Sequence, residues 1–320
     1  MNKKLWIEIQ EVDMWDISLL PETMYQGVQK KWSQLGLYIS RDLVFELQNI
    51  VEQYLRVMWL SSTMYPARVD IGFSSQGYPI IYEITTWFVD QVWSCLSLQQ
   101  ALWDTTWLDS LSQTPFLSTI LTSTPYLPEY TIMRDMFEKS GKKLLEEETE
   151  RTFVYGYPTE AMLGESNFIP WWKWLESESK LSQTKVLQRI TQGSNFIIPR
   201  YFSLQDTSYN NLPNEWNTWL IFKQDTPKIK GNRNTILFGK WRIAERRYKD
   251  WEMLAQEYIE AYRDSENRRF EAKVLFMPSQ TGINFTGMYN LLDTWSIELN
   301  FWSTKIPNDG YPQGPWIIIP

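Results

Sequence analysis

Residues 67–85 read ARVDIGFSSQGYPIIYEIT, and this stretch decides the fold that the sequence predicts. Two short runs rich in β-branched and aromatic residues flank the turn-forming SSQG, a pattern typical of a β-hairpin. Because side chains alternate across a strand, Arg68 and Asp70 share one face of the first strand. Glu83 and Thr85 share one face of the second strand for the same reason. The hairpin is therefore predicted to carry its charged residues on one side.

The opposite face of the hairpin is predicted to be apolar, formed by Val69, Ile71, Phe73, Ile80, Tyr82 and Ile84. If the two polar faces coincide, an arginine, two carboxylates and a hydroxyl lie on one surface above that layer. Proteins commonly hold magnesium with two carboxylates while phosphates and water supply the other ligands, and an adjacent arginine suits a phosphate. By pattern alone, a solvent-facing strand pair with a salt bridge between Arg68 and Asp70 is the favoured interpretation.

Helices are predicted on both sides of the hairpin. In residues 41–60 the apolar positions recur every three or four residues, and Ser40 is suited to cap the resulting helix. A second helix is predicted over residues 89–103. The charged run 138–151 is expected to be the solvated face of a helix.

After Gly164 the sequence favours short strands and loops. The strands are predicted within 165–175, 194–202, 216–224, 228–240, 255–262, 269–278 and 296–302, and the segment that leads into 255–262 is predicted to begin as a helix at Ala244. This change of texture places a boundary near residue 160, between an N-terminal lobe that carries the hairpin and helices (1–160) and a second lobe (161–320). The hairpin is expected to lie against the strands around 219–238 and 270–300 and to form one cleft with them.

The composition of the 320 residues limits the function classes. A net charge of −7 would repel a nucleic-acid backbone over most of the surface, so a nucleic-acid partner is not expected. Cys95 is the only cysteine, which excludes a disulfide framework and suits a reducing compartment. No apolar run approaches the roughly 20 residues of a membrane span. The sequence therefore predicts a soluble, cytoplasmic protein without a membrane partner.

The chain contains no histidine, so Ser-His-Asp or Cys-His nucleophiles and histidine-bound zinc are excluded. Any reaction must use carboxylates, lysines, arginines, backbone dipoles and a hard metal ion. The chain also contains 18 tryptophans, and a cluster such as Trp171, Trp172 and Trp174 could stack on a sugar or a base. Burial in the core is the favoured explanation, because most tryptophans are largely buried.

The arrangement of Arg68-Val69-Asp70, Glu83 in a Glu-x-Thr context, and a predicted helix with Gln99-Gln100 and Trp103 resembles a stretch of the glutathionylspermidine synthase family. That family carries Arg-x-Asp followed by Glu-x-Asn. Four later segments are similar to its nucleotide-clamping segments in the same order: ESNFIPWWKWL, SNFIIPRYF, WLIFKQDTPKIKGNRNTILFG and LAQEYIEAY. The resemblance spans roughly residues 65 to 300 and implies an α/β (α+β) fold, ATP-grasp-like and circularly permuted, with mixed sheets and flanking helices.

The resemblance also implies roles for individual residues. Asp70, Glu83 and Thr85 would provide magnesium ligands, and Arg68 would contact a phosphate or the transition state. The other implied contacts to ATP are Lys223 and the backbone amides near Gly231 and Asn232 at the phosphates, with Gln256 and Glu257 at the adenine and ribose. The second lobe would then clamp the nucleotide.

A ligase of the carboxylate-amine type is the activity that the resemblance implies, with ATP and magnesium as cofactors. A substrate carboxylate would form an acyl phosphate that an amine captures, giving an amide, ADP and phosphate, as in peptide biosynthesis. No protein nucleophile is needed, which fits a chain without histidine. The substrates would be a small-molecule or peptide carboxylate and an amine.

Three positions depart from the family pattern. Thr85 replaces its asparagine, Phe168 its phosphate-binding lysine, and Gln224 the proline that follows the residue at Lys223. Lys173 could replace the missing lysine from the next turn. The departures leave open a weakened or inactive nucleotide site, in which case the chain is a non-catalytic binding or scaffold protein.

Two further interpretations remain open. Glu298-Leu299-Asn300 is an alternative metal motif, since unpermuted ATP-grasp enzymes carry Glu-x-Asn near their C-terminus, but no Arg-x-Asp strand precedes it. A tryptophan-rich carbohydrate-binding protein rests on composition alone and predicts a strand-dominated sandwich without affinity for nucleotides.

Overall fold

The computed structural model describes residues 7–11, 23–25, 28–32, 35–58, 67–86, 119–122, 138–139, 141, 152–155, 179–203, 219–224, 236–239, 253–263, 269–279, 282–292 and 312–319. In these residues the fold is mixed α/β, with largely antiparallel sheets and flanking helices. The strands in chain order are β1 (Ile7–Glu11), β2 (Thr23–Tyr25), β3 (Val28–Trp32), β4 (Leu35–Ser40), β5 (Ala67–Phe73), β6 (Pro79–Thr85), β7 (Thr119–Thr122), β8 (Thr152–Tyr155), β9 (Tyr201–Ser203), β10 (Trp219–Gln224), β11 (Ile236–Gly239), β12 (Met253–Glu257), β13 (Arg269–Ser279), β14 (Gly282–Leu292) and β15 (Pro312–Ile319). The helices are α1 (Arg41–Val57) and α2 (Lys180–Ile190).

The largest sheet has nine strands, in the order β1-β4-β15-β14-β13-β5-β6, with β3 pairing with β15 and β2 pairing with β3. Its pairs are antiparallel except those of β15 with β3 and with β4. The sheet takes strands from both sides of residue 160, and the division into lobes at that residue stays a prediction. The hairpin of β5 and β6 lies at one edge of this sheet, and β13 pairs directly with β5.

The hairpin forms where the sequence predicts it. Ser74 N donates to Tyr78 O at 2.8 Å and Gly77 N to Ser74 O at 2.7 Å, which closes the turn between β5 and β6. Gly77 has a φ of 82°, in the left-handed region that glycine adopts without steric cost. The SSQG segment therefore provides the turn chemistry that the hairpin requires.

A bulge in β6 corrects the predicted apolar face. Asp70 lies opposite Glu83, but the next residue, Ile71, lies opposite Ile81, so Tyr82 is an extra residue in β6. Ile81 and Ile84 consequently join the core, whereas Ile80 and Tyr82 pack in a separate cluster with Ala261. The prediction that Ile80, Tyr82 and Ile84 share one face is wrong, because strict alternation ends at a bulge.

Tyr82 needs the space that Gly72 leaves on the neighbouring strand. A Cβ atom built at Gly72 would lie 2.5 Å from Tyr82 Cε2, a distance that real Cβ contacts do not show. The ring therefore lies against the glycine, on the face of β5 opposite the core. The pair fixes the position of the bulge next to Glu83.

The core lies between the large sheet and α1. The helix begins at Arg41, and Ser40 Oγ accepts from Leu43 N at 3.4 Å, which confirms the predicted cap. Its buried residues are Leu43, Val44, Leu47, Ile50, Val51, Tyr54 and Leu55, which are the positions that the apolar period selected. They pack with Val69, Ile71 and Phe73 of β5 and with Ala272, Val274 and Phe276 of β13. Each fully buried aliphatic side chain contributes about 1.5 to 3 kcal/mol of transfer free energy.

A second sheet contains four strands in the order β11-β10-β12-β9. Two segments next to strands of this second sheet form isolated bridges with the hairpin. Ile197, just before β9, pairs with Ile80, and Ala261, just after β12, pairs with Ser74. Backbone bonds from Ser75 N to Glu260 O and from Tyr262 N to Phe73 O, both 2.7 Å, support the second contact. The hairpin contacts the region 270–300 directly, as predicted, because β5 pairs with β13. Strands β10 and β11 belong to this second sheet.

Helix α2 corrects the prediction of short strands and loops between Gly164 and Ala244, while the helix predicted to begin at Ala244 starts outside the described residues. Ser179 Oγ accepts from Ser182 N at 3.2 Å and caps its first turn. The sequence does not indicate this helix by an apolar period, because its buried positions are the polar Gln183 and Thr184 and a single leucine, Leu187. The predicted helix at 89–103, most of the charged run 138–151 and the strands at 165–175 and 296–302 lie outside the described residues. In the part of the chain that the structure describes, no helix is long and apolar enough to cross a membrane.

Candidate functional site

Polar residues of three neighbouring strands, β6, β5 and β13, form one row across the edge of the large sheet. Glu83 lies opposite Asp70 in the register of β6 and β5, and Asp70 lies opposite Lys273 of β13. One step along the sheet, Thr85 lies opposite Arg68. Direct partners in antiparallel strands point to the same face, so these five side chains form a cluster. That face is opposite the face that packs on α1.

Asp70 is the centre of the cluster and is 4 % exposed. Arg68 donates to both of its carboxylate oxygens, from Nε to Oδ1 at 2.8 Å and from Nη2 to Oδ2 at 3.2 Å. Lys273 Nζ donates to Oδ2 at 2.9 Å. Burial alone would raise the pKa of Asp70, but the charges of Arg68 and Lys273 outweigh it and hold the pKa well below its ordinary value. Asp70 is therefore ionised at neutral pH.

Lys273 bridges Asp70 to a third carboxylate. Its Nζ also donates to Glu271 Oε1 at 3.3 Å, two residues earlier on β13. Burial raises the pKa of Glu271, and the attraction of Lys273 only partly offsets that effect. The side chains of Arg68, Asp70, Glu271 and Lys273 are all at most 9 % exposed. These four residues are here named the buried half of the cluster.

Glu83, Thr85 and Lys180 form the open half of the cluster. Lys180 Nζ donates to Glu83 Oε2 at 2.6 Å, with 22 % and 24 % of the two side chains exposed. Thr85 Oγ1 lies 3.5 Å from both Glu83 Oε1 and Arg68 Nη2 and so connects the two halves. Burial would raise the pKa of Glu83, but Lys180 outweighs it, together with the repulsion from Asp70, and the pKa is lowered.

The first turn of α2 holds the open half in place. The amide of Ile84, between Glu83 and Thr85, donates to Gln183 Oε1 at 3.1 Å. Gln183 is 2 % exposed, so this bond satisfies a buried backbone donor on the edge strand of the sheet. Lys180 lies one turn earlier on the same helix. The helix therefore positions the carboxylate and its cation together.

The predicted adenine and ribose residues lie on β12, in the second sheet. Gln256 is 1 % exposed, and its Oε1 has no hydrogen-bond partner in the residues that the structure describes. Glu257 instead forms a two-point ion pair with Arg200, at 2.9 and 3.0 Å, which joins β12 to the segment before β9. Lys223 of β10 lies opposite Leu254 in the strand register, two residues from Gln256. The sheet thus places Lys223 and Gln256 close together on neighbouring strands.

The structure brings Arg68, Asp70, Glu83 and Thr85 together, as the strand pattern predicts. The interpretation of this surface as solvent-facing is wrong, because Arg68, Asp70 and Thr85 are all at most 7 % exposed. Sequence reasoning missed three residues of the cluster, Glu271, Lys273 and Lys180. The polar alternation of Glu271 and Lys273 within an apolar strand was an available signal, whereas nothing marked Lys180. Gly231, Asn232, Phe168, Lys173 and the motif 298–300 lie outside the described residues.

The cluster fits magnesium in the chemistry of its donors. Carboxylate and hydroxyl oxygens are the hard ligands that this ion prefers, and both Asp70 and Glu83 are held ionised. Cations already contact both oxygens of Asp70, while among the described residues Glu83 Oε1 receives only the 3.5 Å contact from Thr85. Across the described ranges, no three acidic, cysteine or histidine side chains converge as a ready metal cage. Glu83 is therefore the carboxylate most accessible to an ion.

No protein-family model and no curated protein matches the sequence of this chain. Among solved structures, one match is a crystal structure described as "Putative gamma-glutamylcysteine synthetase" from Methylobacillus flagellatus KT. The two chains share 10 % identity with a TM-score of 0.44, over 85 % of this chain and 86 % of that one. A similarity of this size assigns neither a fold family nor an activity to this chain.

Proposed function

We propose that this chain is a carboxylate-amine ligase that uses ATP and magnesium, on a circularly permuted ATP-grasp fold. The observation that supports the proposal most is the common location of Arg68, Asp70, Glu83 and Thr85 on one face of the β5–β6 hairpin. These residue types are the ones a magnesium–phosphate site needs, and the sequence resemblance assigns them to such a site. The lowered pKa values of Asp70 and Glu83 keep both carboxylates negative at neutral pH.

In this proposal each polar residue of the hairpin has its own role in binding the metal ion and the phosphates. Glu83 and Asp70 would hold the metal ion, and Thr85 would add a neutral oxygen beside Glu83. A metal bound there would neutralise charge on the phosphate oxygens during transfer. Arg68 contributes a permanent positive charge next to both carboxylates, held in one orientation by its two bonds to Asp70.

The second sheet would provide the nucleotide contacts. Lys223 would bind the phosphates, with the backbone amides near Gly231 and Asn232 covering them. Gln256, whose buried carbonyl oxygen lacks a partner in the described residues, would accept a hydrogen bond from the adenine. Glu257 would lie on the ribose side, where its pairing with Arg200 leaves 27 % of its side chain exposed.

The reaction needs positioning and charge neutralisation more than it needs a protein nucleophile. An oxygen of the substrate carboxylate attacks the γ-phosphorus of ATP, the bond to the bridging oxygen breaks, and ADP leaves. The amine nitrogen then attacks the acyl carbon and loses a proton, and phosphate leaves. Arg68, Lys180 and Lys223 would balance the negative charge of these steps. The proposed location is the cytoplasm, and the proposed substrates are a small-molecule or peptide carboxylate and an amine.

A second candidate is a non-catalytic binding or scaffold protein descended from such a ligase. The complete engagement of Asp70 by Arg68 and Lys273 favours it, because a metal ligand paired on both oxygens can be a purely structural residue. Thr85, Phe168 and Gln224, which depart from the family pattern, favour it too. In this candidate the cluster stabilises the sheet edge and binds no nucleotide.

Isothermal titration with ATP and magnesium separates the two candidates. The ligase proposal expects binding by the parent protein and a loss of about ten- to a hundredfold in Lys223→Ala, the worth of one charge-assisted hydrogen bond. Glu83→Gln should remove the dependence of ATP binding on magnesium. Lys228→Ala and Lys230→Ala are matched controls from the predicted loop and should bind nearly as the parent does. A parent protein without affinity for ATP would leave the non-catalytic candidate as the better account.

A further inference from the structure

The Lys180–Glu83 ion pair differs from the rest of the cluster in its accessibility. The side chain of Lys180 is 22 % exposed, whereas those of Arg68 and Lys273 are each 9 % exposed. Lys180 also lies at the start of α2, and its ammonium is carried on a flexible stem of four carbons. Of the three cations in the cluster, Lys180 is thus the most accessible to solvent.

A metal ion that extends from the more open oxygen of Glu83, Oε1, to Oε2 would compete with the ammonium of Lys180 for Oε2. Lys180 Nζ lies 2.6 Å from Glu83 Oε2, well inside the space that a cation bound to that oxygen would need. Among the described residues the charges of the cluster are balanced: Arg68, Lys180 and Lys273 oppose Asp70, Glu83 and Glu271. A divalent ion added without any movement would leave an excess of positive charge in a largely buried site.

We propose that Lys180 occupies the cation position on Glu83 in the ligand-free protein and that a divalent cation entering with a nucleotide displaces it onto the phosphates. This inference rests on the proposed function, since it assigns the exchange to the same metal site. The metal takes the carboxylate and the phosphate oxygens take the ammonium, so every charge keeps a partner. A metal ion alone offers no new partner to the ammonium and binds weakly.

Helix α2 confines the displaced ammonium to the site. Gln183 is bonded to the amide of Ile84, and Leu187 is buried in the core, so the first turn of α2 stays attached to β6 when the side chain of Lys180 moves. The ammonium can therefore travel only the length of its own side chain. The phosphate that receives it has to bind next to Glu83.

Lys180→Met tests the exchange, because it keeps most of the side-chain volume and removes the charge. Binding of Mn²⁺ alone, followed by the electron paramagnetic resonance signal of the free ion, should become about tenfold tighter in this variant. Binding of ATP in saturating Mn²⁺, measured by titration calorimetry, should become about tenfold weaker. The two opposite shifts distinguish exchange from the loss of a structural contact, which would change both affinities in the same direction.

Lys185→Met is the matched control, since Lys185 is an exposed lysine of the same helix and its loss changes the net charge equally. Its two affinities should equal those of the parent, and Lys180→Arg should retain the competition. Adding Glu83→Gln to Lys180→Met should cancel the gain in Mn²⁺ affinity. Circular dichroism establishes that each variant is folded.

Every other outcome overturns either the exchange alone or the exchange together with the proposed function. An unchanged Mn²⁺ affinity in Lys180→Met, an ATP affinity that does not fall, or a gain that survives Glu83→Gln overturns the exchange and leaves the ligase proposal standing. Failure of the parent and all variants to bind either Mn²⁺ or ATP overturns the exchange and the proposed function together.

Discussion

The two halves of the ion cluster each pair a carboxylate on the large sheet with a lysine, but their surroundings differ. The buried half surrounds Asp70 with Arg68 and Lys273, all nearly inaccessible to solvent. The open half pairs Glu83 with Lys180, each about a quarter exposed. Breaking a buried pair leaves an uncompensated charge away from water, whereas an open pair can exchange its partner for water or a ligand. From burial we therefore expect the buried half to contribute more to stability, while the proposed ligand exchange concerns the open half.

The largest difference should come from removing one carboxylate in each half. Asp70→Asn leaves Arg68 and Lys273 partly unpaired and should lower the free energy of unfolding by about 3 to 5 kcal/mol. Glu83→Gln should lower it by about 1 kcal/mol or less, because its partner Lys180 reaches water. Urea unfolding at neutral pH measures both. Equal losses in the two variants would remove the distinction between the halves.

Gln183→Leu should have an intermediate effect on the open half. The substitution leaves the buried amide of Ile84 without its acceptor, which should cost about 1 to 3 kcal/mol of unfolding free energy. It should also weaken ATP binding in magnesium, because α2 no longer fixes Glu83 and Lys180 together. Gln188→Leu, at an exposed position of the same helix, is the control and should change neither quantity. If both glutamine variants behave alike, α2 does not hold the open half.

A smaller effect should appear in the pH dependence of the buried half. The pKa of Glu271 is raised above its ordinary value of 4.5, so its contribution to stability is present below that pH and is lost as the pH rises through the folded-state pKa. In Glu271→Gln this loss disappears, so the stability of the variant relative to the parent should increase between acidic and neutral pH. The pKa values of Asp70 and Glu83 are lowered, so their contributions have the opposite sign and disappear as the pH falls below their ordinary values. Unfolding titrations across this range should show a constant difference between variant and parent if Glu271 is not perturbed.

The Arg200–Glu257 pair should give the smallest effect and serves as a reference for an ordinary surface pair. Its side chains are 40 % and 27 % exposed. Arg200→Gln should cost about 1 kcal/mol or less, and high salt should remove most of that cost. Thermal unfolding at low and high ionic strength measures it. A loss as large as that of Asp70→Asn would mean that exposure does not rank these pairs.

Local pattern predicted the elements that position the site. The apolar period of α1, its cap at Ser40 and the SSQG turn all depend on residues close in sequence, and each formed as predicted. Alternation along β5 was enough to place Arg68 and Asp70 on one face. The same rule failed in β6, because a bulge at Tyr82 depends on the partner strand and on the space above Gly72.

The residues that complete the cluster depend on contacts far apart in sequence. Lys273 reaches Asp70 across 203 residues, through a register between β5 and β13 that the packing of both strands on α1 determines. Lys180 reaches Glu83 across 97 residues, because α2 covers the edge of β6. A pattern within a short stretch of sequence cannot reveal contacts between residues 97 or 203 positions apart.

The sequence by itself determined the hairpin, the first helix and the placement of Arg68 and Asp70 on one strand face, because these features depend on residues close together in the chain. The tertiary structure decided which of those charges are buried and which are exchangeable. The exposure of each charge follows from the desolvation of its side chain. Desolvation depends on all the residues packed around that side chain, including those of α2 and β13, which lie 97 and 203 residues away in the sequence from the carboxylates they pair with.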